Sequence, residues 1–156
     1  MAADTYDVAD GGATKLQELR NTLGIWSKKY KLQDLLTLAG AGTVAEVNDV
    51  FQLLDLPART FVLMGGIIPH VADGDTLTAD LGDGGNIDGF VDGADLNSTT
   101  ALSTVIADPY GGDTARGNLY ASADTLDIKI LTIGSQTSHL AEFTVWAIMG
   151  QIPNAY

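Results

Sequence analysis

The sequence predicts an all-β protein, a jelly-roll-like β-sandwich, because three segments alternate apolar and polar residues with a period of two. The predicted inward positions are Leu77, Ala79 and Leu81; Leu126, Ile128 and Ile130; and Phe143, Val145, Ala147 and Met149. Long Gly- and Asp-rich stretches between apolar segments are typical of the connections in such folds. We expect an extended or partly helical N-terminal arm over residues 1–45, one sandwich domain over residues 46–150 and a tail over residues 151–156.

The stretch from Thr60 to Leu81 predicts two consecutive strands, because Pro69 and the turn residues at 72–75 separate its two apolar runs. The first run, residues 61–68, is apolar at nearly every position. A strand tolerates such a run only when both of its faces are covered. The run is therefore expected to be a central strand, or a strand that another subunit shields.

Length and charge limit the classes of function. The 156 residues fit one domain, and the absence of cysteine excludes disulfides and thiolate metal sites. Residues 1–60 carry 6 Lys+Arg and 8 Asp+Glu, whereas residues 61–156 carry 2 and 12, which gives the net charge of −12. A surface this acidic repels phosphate backbones, so direct nucleic-acid binding is not expected. The acidic start lacks signal-peptide features and no apolar run approaches the roughly 20 residues of a membrane span, so a soluble protein is predicted.

The predicted arm contains two features. Leu16, Leu19 and Leu23 have helical spacing and predict a short amphipathic helix. The only cluster of basic and aromatic residues in the sequence follows it, formed by Trp26, Lys28, Lys29, Tyr30 and Lys31. This cluster has three interpretations: stacking on nucleic-acid bases, which the acidic charge disfavours, a solvated face, or an arm that lies on a neighbouring acidic copy of the chain.

Residues 43–56 fit two patterns. Thr43 and Glu46 have the spacing of a capping box, and the apolar residues after them have helical spacing, which favours a helix. The alternative is a strand through Val50 to Leu54. Farther along, residues 101–107 are expected to form a short strand, and the loop after it contains Arg116.

Residues 82–97 are rich in Gly and Asp and predict a long structured loop. Part of this loop has the spacing of an EF-hand, at Asn86, Asp88, Gly89 and Asp95. The motif is broken, because Gly84 stands at the first ligand position and Asp95 replaces the usual Glu. No cofactor is expected; calcium is the one alternative, and its candidate ligands are Asp83, Asp88, Asp92 and Asp95. The same aspartates could supply a carboxylate pair for glycoside chemistry, which depends on their separation.

The sequence contains no recognisable catalytic motif. Without cysteine, a nucleophile would be a serine, threonine or lysine, and no serine lies in a G-x-S-x-G elbow. The H-E-x-x-H and P-loop motifs are also absent. His70 and His139 are the candidate general bases, but a histidine in such a connection is more often structural or solvated. The protein is predicted not to be an enzyme, and no catalytic residue is assigned.

The last predicted strand is apolar on both faces. Thr144, Trp146 and Ile148 occupy the face that should be polar. A large aromatic residue on that face needs cover from another surface. Together with the arm, this predicts contacts between chains, and the candidate interface residues are Trp26, Tyr30, Trp146 and Ile148.

Six segments follow one another between about Val47 and Met149: NDVFQLLDLPART, FVLMGGIIP, ADGDTLTADLGDG, DGFVDGADLN, LYASADTLDIKI and FTVWAIM. In this order the sequence resembles a family of small structural proteins of tailed-phage virions, especially of marine and cyanobacterial phages. The resemblance implies a β-sandwich that decorates or cements the capsid and has no catalytic residues. It also makes Val50 to Leu54 a strand.

The resemblance further implies a place in the virion, after assembly in the host cytoplasm. The expected partners are the major capsid protein and copies of the same chain, in a homo-oligomer such as a trimer. Two alternatives stand beside this hypothesis. One is a tail, fibre or connector component of the virion, and the other is a carbohydrate- or calcium-binding β-sandwich module.

Overall fold

The computed structural model describes residues 5–7, 23–40, 44–99 and 118–152. These residues form nine strands and one helix, α1 (Leu32–Ala39). The strands are β1 (Thr5–Asp7), β2 (Gly24–Lys31), β3 (Val50–Leu56), β4 (Thr60–Val71), β5 (Leu77–Asp83), β6 (Val91–Asp95), β7 (Asn118–Tyr120), β8 (Asp124–Ile133) and β9 (Glu142–Gln151). Within the described ranges, no helix has the length and apolar character needed to cross a membrane.

The strands form two sheets. One sheet has five strands in the order β1-β3-β8-β5-β6, and the other has four in the order β2-β9-β4-β7. Neighbouring strands are antiparallel, except that β1 runs parallel to β3. The all-β sandwich that the alternating segments predicted is therefore confirmed.

Strand pairing is nested along the chain. β5 pairs with β6, β4 with β7, β3 with β8 and β2 with β9, and successive pairs lie alternately in the two sheets. A long antiparallel ribbon rolled in this way into two packed sheets of eight strands is a jelly roll. The short β1 adds a ninth strand beside β3.

The core is filled by the side chains that alternation assigned to it. All ten predicted inward residues of β5, β8 and β9 are 1% exposed or less. The apolar run at residues 61–68 lies in β4, which has β9 on one side and β7 on the other. β7 pairs with β4 only at residues 60–62, and in the described ranges the rest of β4 pairs with β9 alone, so the prediction of a central strand is confirmed only for the start of β4.

Residues 24–39 belong to the sandwich, although the sequence assigned them to an arm. β2 pairs with β9 along its whole length, from Gly24 opposite Met149 to Lys31 opposite Glu142. The helix α1 follows β2 directly and buries three leucines, Leu32, Leu35 and Leu36. The sandwich therefore begins before residue 45, because these apolar side chains complete its core.

Two other segments depart from their local sequence pattern. Residues 50–56 form the strand β3, which the resemblance implied, and not the helix that local spacing favoured. Pairing with β8 outweighs the local helix propensity. β6 lies within the stretch predicted to be a loop, and it contains a bulge at Gly93, where φ is 67°. The predicted helix at Leu16 and Leu19, the predicted strand at 101–107, Arg116 and residues 153–156 lie outside the described residues.

Candidate interaction surface

The outer face of the four-stranded sheet carries an apolar surface. In β9, every second side chain from Phe143 to Met149 is buried in the core. The alternate residues Thr144, Trp146 and Ile148 point to the other side and are half-buried. The two-sided apolar character predicted for this strand is confirmed, and its second face is the outer face of the sandwich.

Neighbouring strands extend this surface. The register places Ile25 of β2 and Met64 of β4 on either side of Ile148, so the three residues form one row across the sheet. Ile25 is 74% exposed, and the other two are half-buried. A row of three large apolar side chains that stays partly exposed on a sheet is typical of a contact surface for another molecule.

The next row places Ser27, Trp146 and Gly66 side by side. The indole of Trp146 lies against the backbone of Gly66, because a Cβ built on Gly66 would be 2.7 Å from the indole Nε1. The Nε1 is buried there and meets no hydrogen-bond acceptor among the described residues. We call these two rows together the apolar rows; they consist of Ile25, Ile148 and Met64 in the first row and Ser27, Trp146 and Gly66 in the second. Because Gly66 has no side chain, the indole has room to lie against the sheet at this position.

Beyond the apolar rows the same face becomes polar. Glu142 of β9 forms ion pairs with Lys29 and Lys31 of β2, the latter at 3.1 Å. Hydrogen bonds from the two lysines lower the pKa of Glu142, and its carboxylate in turn raises the pKa of Lys31. Ion pairs this exposed add little to stability. They mark the polar border of the apolar surface.

Trp26 and Tyr30 lie inside the sandwich, where their exposed fractions are 8% and 7%. The Tyr30 hydroxyl donates a hydrogen bond to the Leu53 carbonyl oxygen at 3.2 Å, which links the two sheets. Burial raises the pKa of Tyr30 far above its ordinary value. These two predicted interface residues are therefore core residues of the monomer, and Trp146 and Ile148 are the two that lie on the surface. Trp26 and Tyr30 share one face at the spacing of a strand, but Lys28 between them and the apolar Ile25 on the other face obscure that pattern in the sequence.

The four candidate calcium ligands do not come together. Both carboxylate oxygens of Asp83 are engaged: Oδ1 accepts the amides of Gly85 and Asn86 at 2.8 and 2.6 Å, and Oδ2 accepts the Tyr120 hydroxyl at 2.7 Å. Asp83 also lines an open cleft of about 390 Å³ between residues 83–86 and 119–124. The other three candidates are exposed, namely Asp88, Asp92 and Asp95. Within the described ranges, no three metal-ligating side chains converge. Calcium binding stays an untested alternative to the expectation of no cofactor, and thermal melting with and without a chelator would test it.

The two histidines have different surroundings. His70 is exposed, and its Nε2 lies 2.7 Å from the Thr144 hydroxyl on the outer face. The His139 side chain is fully buried, with its Nδ1 2.9 Å from Asp73 Oδ2. Since His139 Nε2 accepts the Ala45 amide at 3.3 Å, the ring proton lies on Nδ1 and is donated to Asp73. The burial of His139 agrees with its structural interpretation, because this ring joins three loops inside the protein.

Asp80 is a buried carboxylate on β5, opposite the bulge of β6. Its Oδ1 accepts the amide of Gly93 at 2.9 Å. Burial raises the pKa of Asp80, and the nearby charges of Asp92 and Asp88 raise it further. The Gly93 amide and the charge of Lys129 act in the opposite direction.

Replacing Asp80 by Asn is expected to increase stability relative to the wild type as the pH rises. In the folded protein the pKa of Asp80 lies above its ordinary value of 3.8, because the protonated carboxyl is favoured there. The stability that this protonated form contributes is fully present below pH 3.8 and is lost as the pH rises through the folded pKa. Asn keeps an acceptor for the Gly93 amide and carries no charge. Urea unfolding of both proteins between about pH 4 and pH 7 measures the difference. The prediction is contradicted if the free energy of unfolding of Asp80→Asn minus that of the wild type stays constant or falls as the pH rises.

Comparison with known proteins shows a similarity of fold. No model of a protein family matches the sequence, and no curated protein matches it. A chain in the Cyanophage Pam1 capsid asymmetric unit is similar, with a TM-score of 0.54 and 15% identity over 85% of this chain and 84% of that chain. A chain in the Capsid of Ralstonia phage GP4 has a TM-score of 0.46 and 13% identity over 85% and 86%. At the level of fold, this chain is therefore similar to a chain found in a phage capsid.

Proposed function

We propose that this chain is a structural protein of a tailed-phage virion and acts as a cement or decoration protein on the head. The observation that carries the proposal is the pair of apolar rows on the outer face of the four-stranded sheet, where Ile25 is 74% exposed and Ile148, Met64 and Trp146 are half-buried in the monomer. The likeness of fold to a chain in the Cyanophage Pam1 capsid asymmetric unit supports the same class of protein. The proposed partners are the major capsid protein and copies of the chain.

Burial of the apolar rows would supply the binding energy. Complete burial of an Ile or Met side chain contributes about 1.5 to 3 kcal/mol, and Ile25 retains three quarters of its surface for such a contact. A shell repeats the same contact at every equivalent position, so a modest interface on each copy is multiplied over the particle. The contact would reinforce the shell at the junctions between its subunits.

Binding of the purified full chain to heads that lack it tests the proposal. The wild type is expected to sediment with the heads, whereas the variants Ile25→Ser and Ile148→Ser should each bind about tenfold more weakly or worse, because each loses an apolar contact. Leu38→Ser is the matched control, since Leu38 is 73% exposed and lies on α1, outside the strands that carry the apolar rows. The proposal fails if the wild type does not bind heads, or if all three variants bind equally.

Imaging of the assembled particle separates this function from the alternative within the virion. A cement protein is expected in many copies over the head surface, with its four-stranded sheet against the shell. Density for the chain confined to the tail, a fibre or the connector would assign it there instead. In that case the apolar rows would contact a tail protein.

A further inference from the structure

Two sides of the sandwich carry opposite charges. The described ranges contain five lysine and arginine residues, and three of them lie on β2, namely Lys28, Lys29 and Lys31. Asp88, Asp92 and Asp95 lie at or just before β6, and all three are exposed. We call these two groups the basic edge and the acidic edge. Glu142 pairs with two of the lysines, and the charge of Asp34 also acts on Lys31, so three lysines against two carboxylates leave the basic edge with an excess of one positive charge.

The strand order places these edges on opposite sides of the molecule. β2 is the outermost described strand of one sheet, and it lies over β3, as the bond from Tyr30 to Leu53 shows. β6 is the outermost described strand of the other sheet, three strand positions away from β3. With about 4.8 Å between strands, the edges are at least about 14 Å apart. This exceeds the Debye length of about 8 Å at physiological salt, so the edges do not neutralise each other within one copy.

Few positive charges in the described ranges lie near the carboxylates of the acidic edge. The charges of Asp92 and Asp88 both act on Asp80, and Lys129 is the one cation in the described ranges that opposes them there. Among the described residues, neither Asp88 nor Asp92 makes a hydrogen bond or an ion pair, and both side chains are exposed. Both carboxylates are therefore available to cations on another surface.

We propose that copies of this chain associate head to tail, with the basic edge of one copy against the acidic edge of the next. The contact joins two different surfaces, so it is heterologous and generates a ring or an open array according to its rotation. Lysines on β2 and the bulge in β6 both oppose the pairing of edge strands, so side chains and not added backbone hydrogen bonds form the contact. The proposed function already names copies of the chain as partners, and this inference specifies which surfaces of two copies meet. The contact forms between free copies and needs no capsid.

The salt dependence of association distinguishes the head-to-tail contact from the overall electrostatic repulsion between copies. Two copies of net charge −12 repel each other, but at about 0.15 M salt that repulsion is screened beyond about 8 Å, whereas ion pairs within about 4 Å persist. At about 1 M salt the Debye length falls to about 3 Å and the pairs weaken as well. Analytical ultracentrifugation of the full chain should therefore show association at the lower salt concentration and monomers at the higher one.

Charge reversal tests which surfaces meet. Lys29→Glu with Lys31→Glu makes the basic edge acidic, and Asp88→Lys with Asp92→Lys makes the acidic edge basic. Each double variant alone should associate about tenfold more weakly than the wild type or worse, because its two edges then have the same sign. An equimolar mixture of the two double variants should associate again, as should one chain that carries all four changes.

Net charge alone predicts a different pattern. The lysine reversals lower the net charge from −12 by 4, the aspartate reversals raise it by 4, and the four changes together leave it unchanged. If only overall repulsion mattered, the aspartate variant would associate more strongly than the wild type, whereas the head-to-tail contact requires it to associate more weakly. Circular dichroism confirms that each variant is folded, and the mixture gives the same test without four changes in one chain.

Three results would overturn the proposal: a wild type that is monomeric at both salt concentrations, an aspartate variant that associates at least as well as the wild type, or a mixture that does not associate. None of these measurements uses phage heads. Failure here is therefore distinct from failure of head binding, which tests the proposed function.

Discussion

Replacing Asp73 by Ala is expected to lower the free energy of unfolding by about 3 to 5 kcal/mol. The carboxylate accepts the amides of Leu140 and Ala141 at 2.9 and 3.1 Å and the Nδ1 proton of His139. All three donors lie in or beside the core and would lose their acceptor together. Because His139 in turn accepts the Ala45 amide, the loss would also loosen the segment that leads into β3. Urea unfolding at neutral pH measures the effect.

Two further variants make this prediction specific. Asp73→Asn keeps an oxygen for the two amides but turns an N–H group toward the protonated Nδ1 of His139, so it should recover only part of the loss. Asp95→Ala is the matched control, because Asp95 is exposed and accepts one amide, that of Asn97 at 2.8 Å. Its cost should stay within about 0.5 kcal/mol. Equal costs for Asp73→Ala and Asp95→Ala would refute the role of the buried carboxylate.

Replacing Gly82 by Ala is expected to cost about 3 kcal/mol or more. The loop after β5 folds back over this residue, so an added Cβ would be 2.0 Å from the Asn86 carbonyl oxygen and 2.3 Å from the Ile87 carbonyl carbon. Both neighbours are backbone atoms that cannot turn aside. The Asn86 oxygen also accepts the amides of Asp83 and Gly89, so its displacement would disrupt the whole loop.

The same loop supplies a control. Gly85→Ala adds a methyl group whose nearest neighbour, Asp83 Oδ1, is at 3.4 Å, and Gly85 does not need a positive φ. Its effect should be within about 0.5 kcal/mol. Thermal and urea unfolding of the two variants give the comparison. If both variants have the stability of the wild type, the loop does not press on Gly82 as the structure shows.

Strands with one buried face were predictable from the sequence alone. In β5, β8 and β9 the apolar residues recur at every second position, and the structure buries each of them. The uninterrupted apolar run of β4 also pointed to the interior place that the start of this strand has in its sheet. These signals are local, because a period of two requires only that one face of a strand meets the core.

Other elements depended on contacts that are distant in the sequence. The Val50–Leu56 segment has a helical pattern nearby, and pairing with β8 makes it a strand. β2 carries an exposed Ile25 and a lysine between its two inward aromatic residues, which hid its alternation. β6 is a short, bulged edge strand with only Val91 and Ala94 directed inward. In each case the pairing partner, and not the segment itself, determines the structure.

The candidate surface was predictable in part for the same reason. Trp146 and Ile148 could be assigned to an outer apolar face, because both faces of one strand are apolar. Ile25, Met64 and Gly66 join that face only through the register of β2, β9 and β4, which no local pattern specifies. The opposite placement of the charged edges likewise follows from strand order.

The two tryptophans of the chain give it two separate optical probes. Trp26 is enclosed by the core, whereas the indole of Trp146 lies on the outer face against Gly66. In a Trp146→Phe variant, the remaining fluorescence would follow loss of the core on denaturation. In a Trp26→Phe variant, it would follow the polarity around the outer face, so its emission should shift to shorter wavelength when that face is covered by a partner.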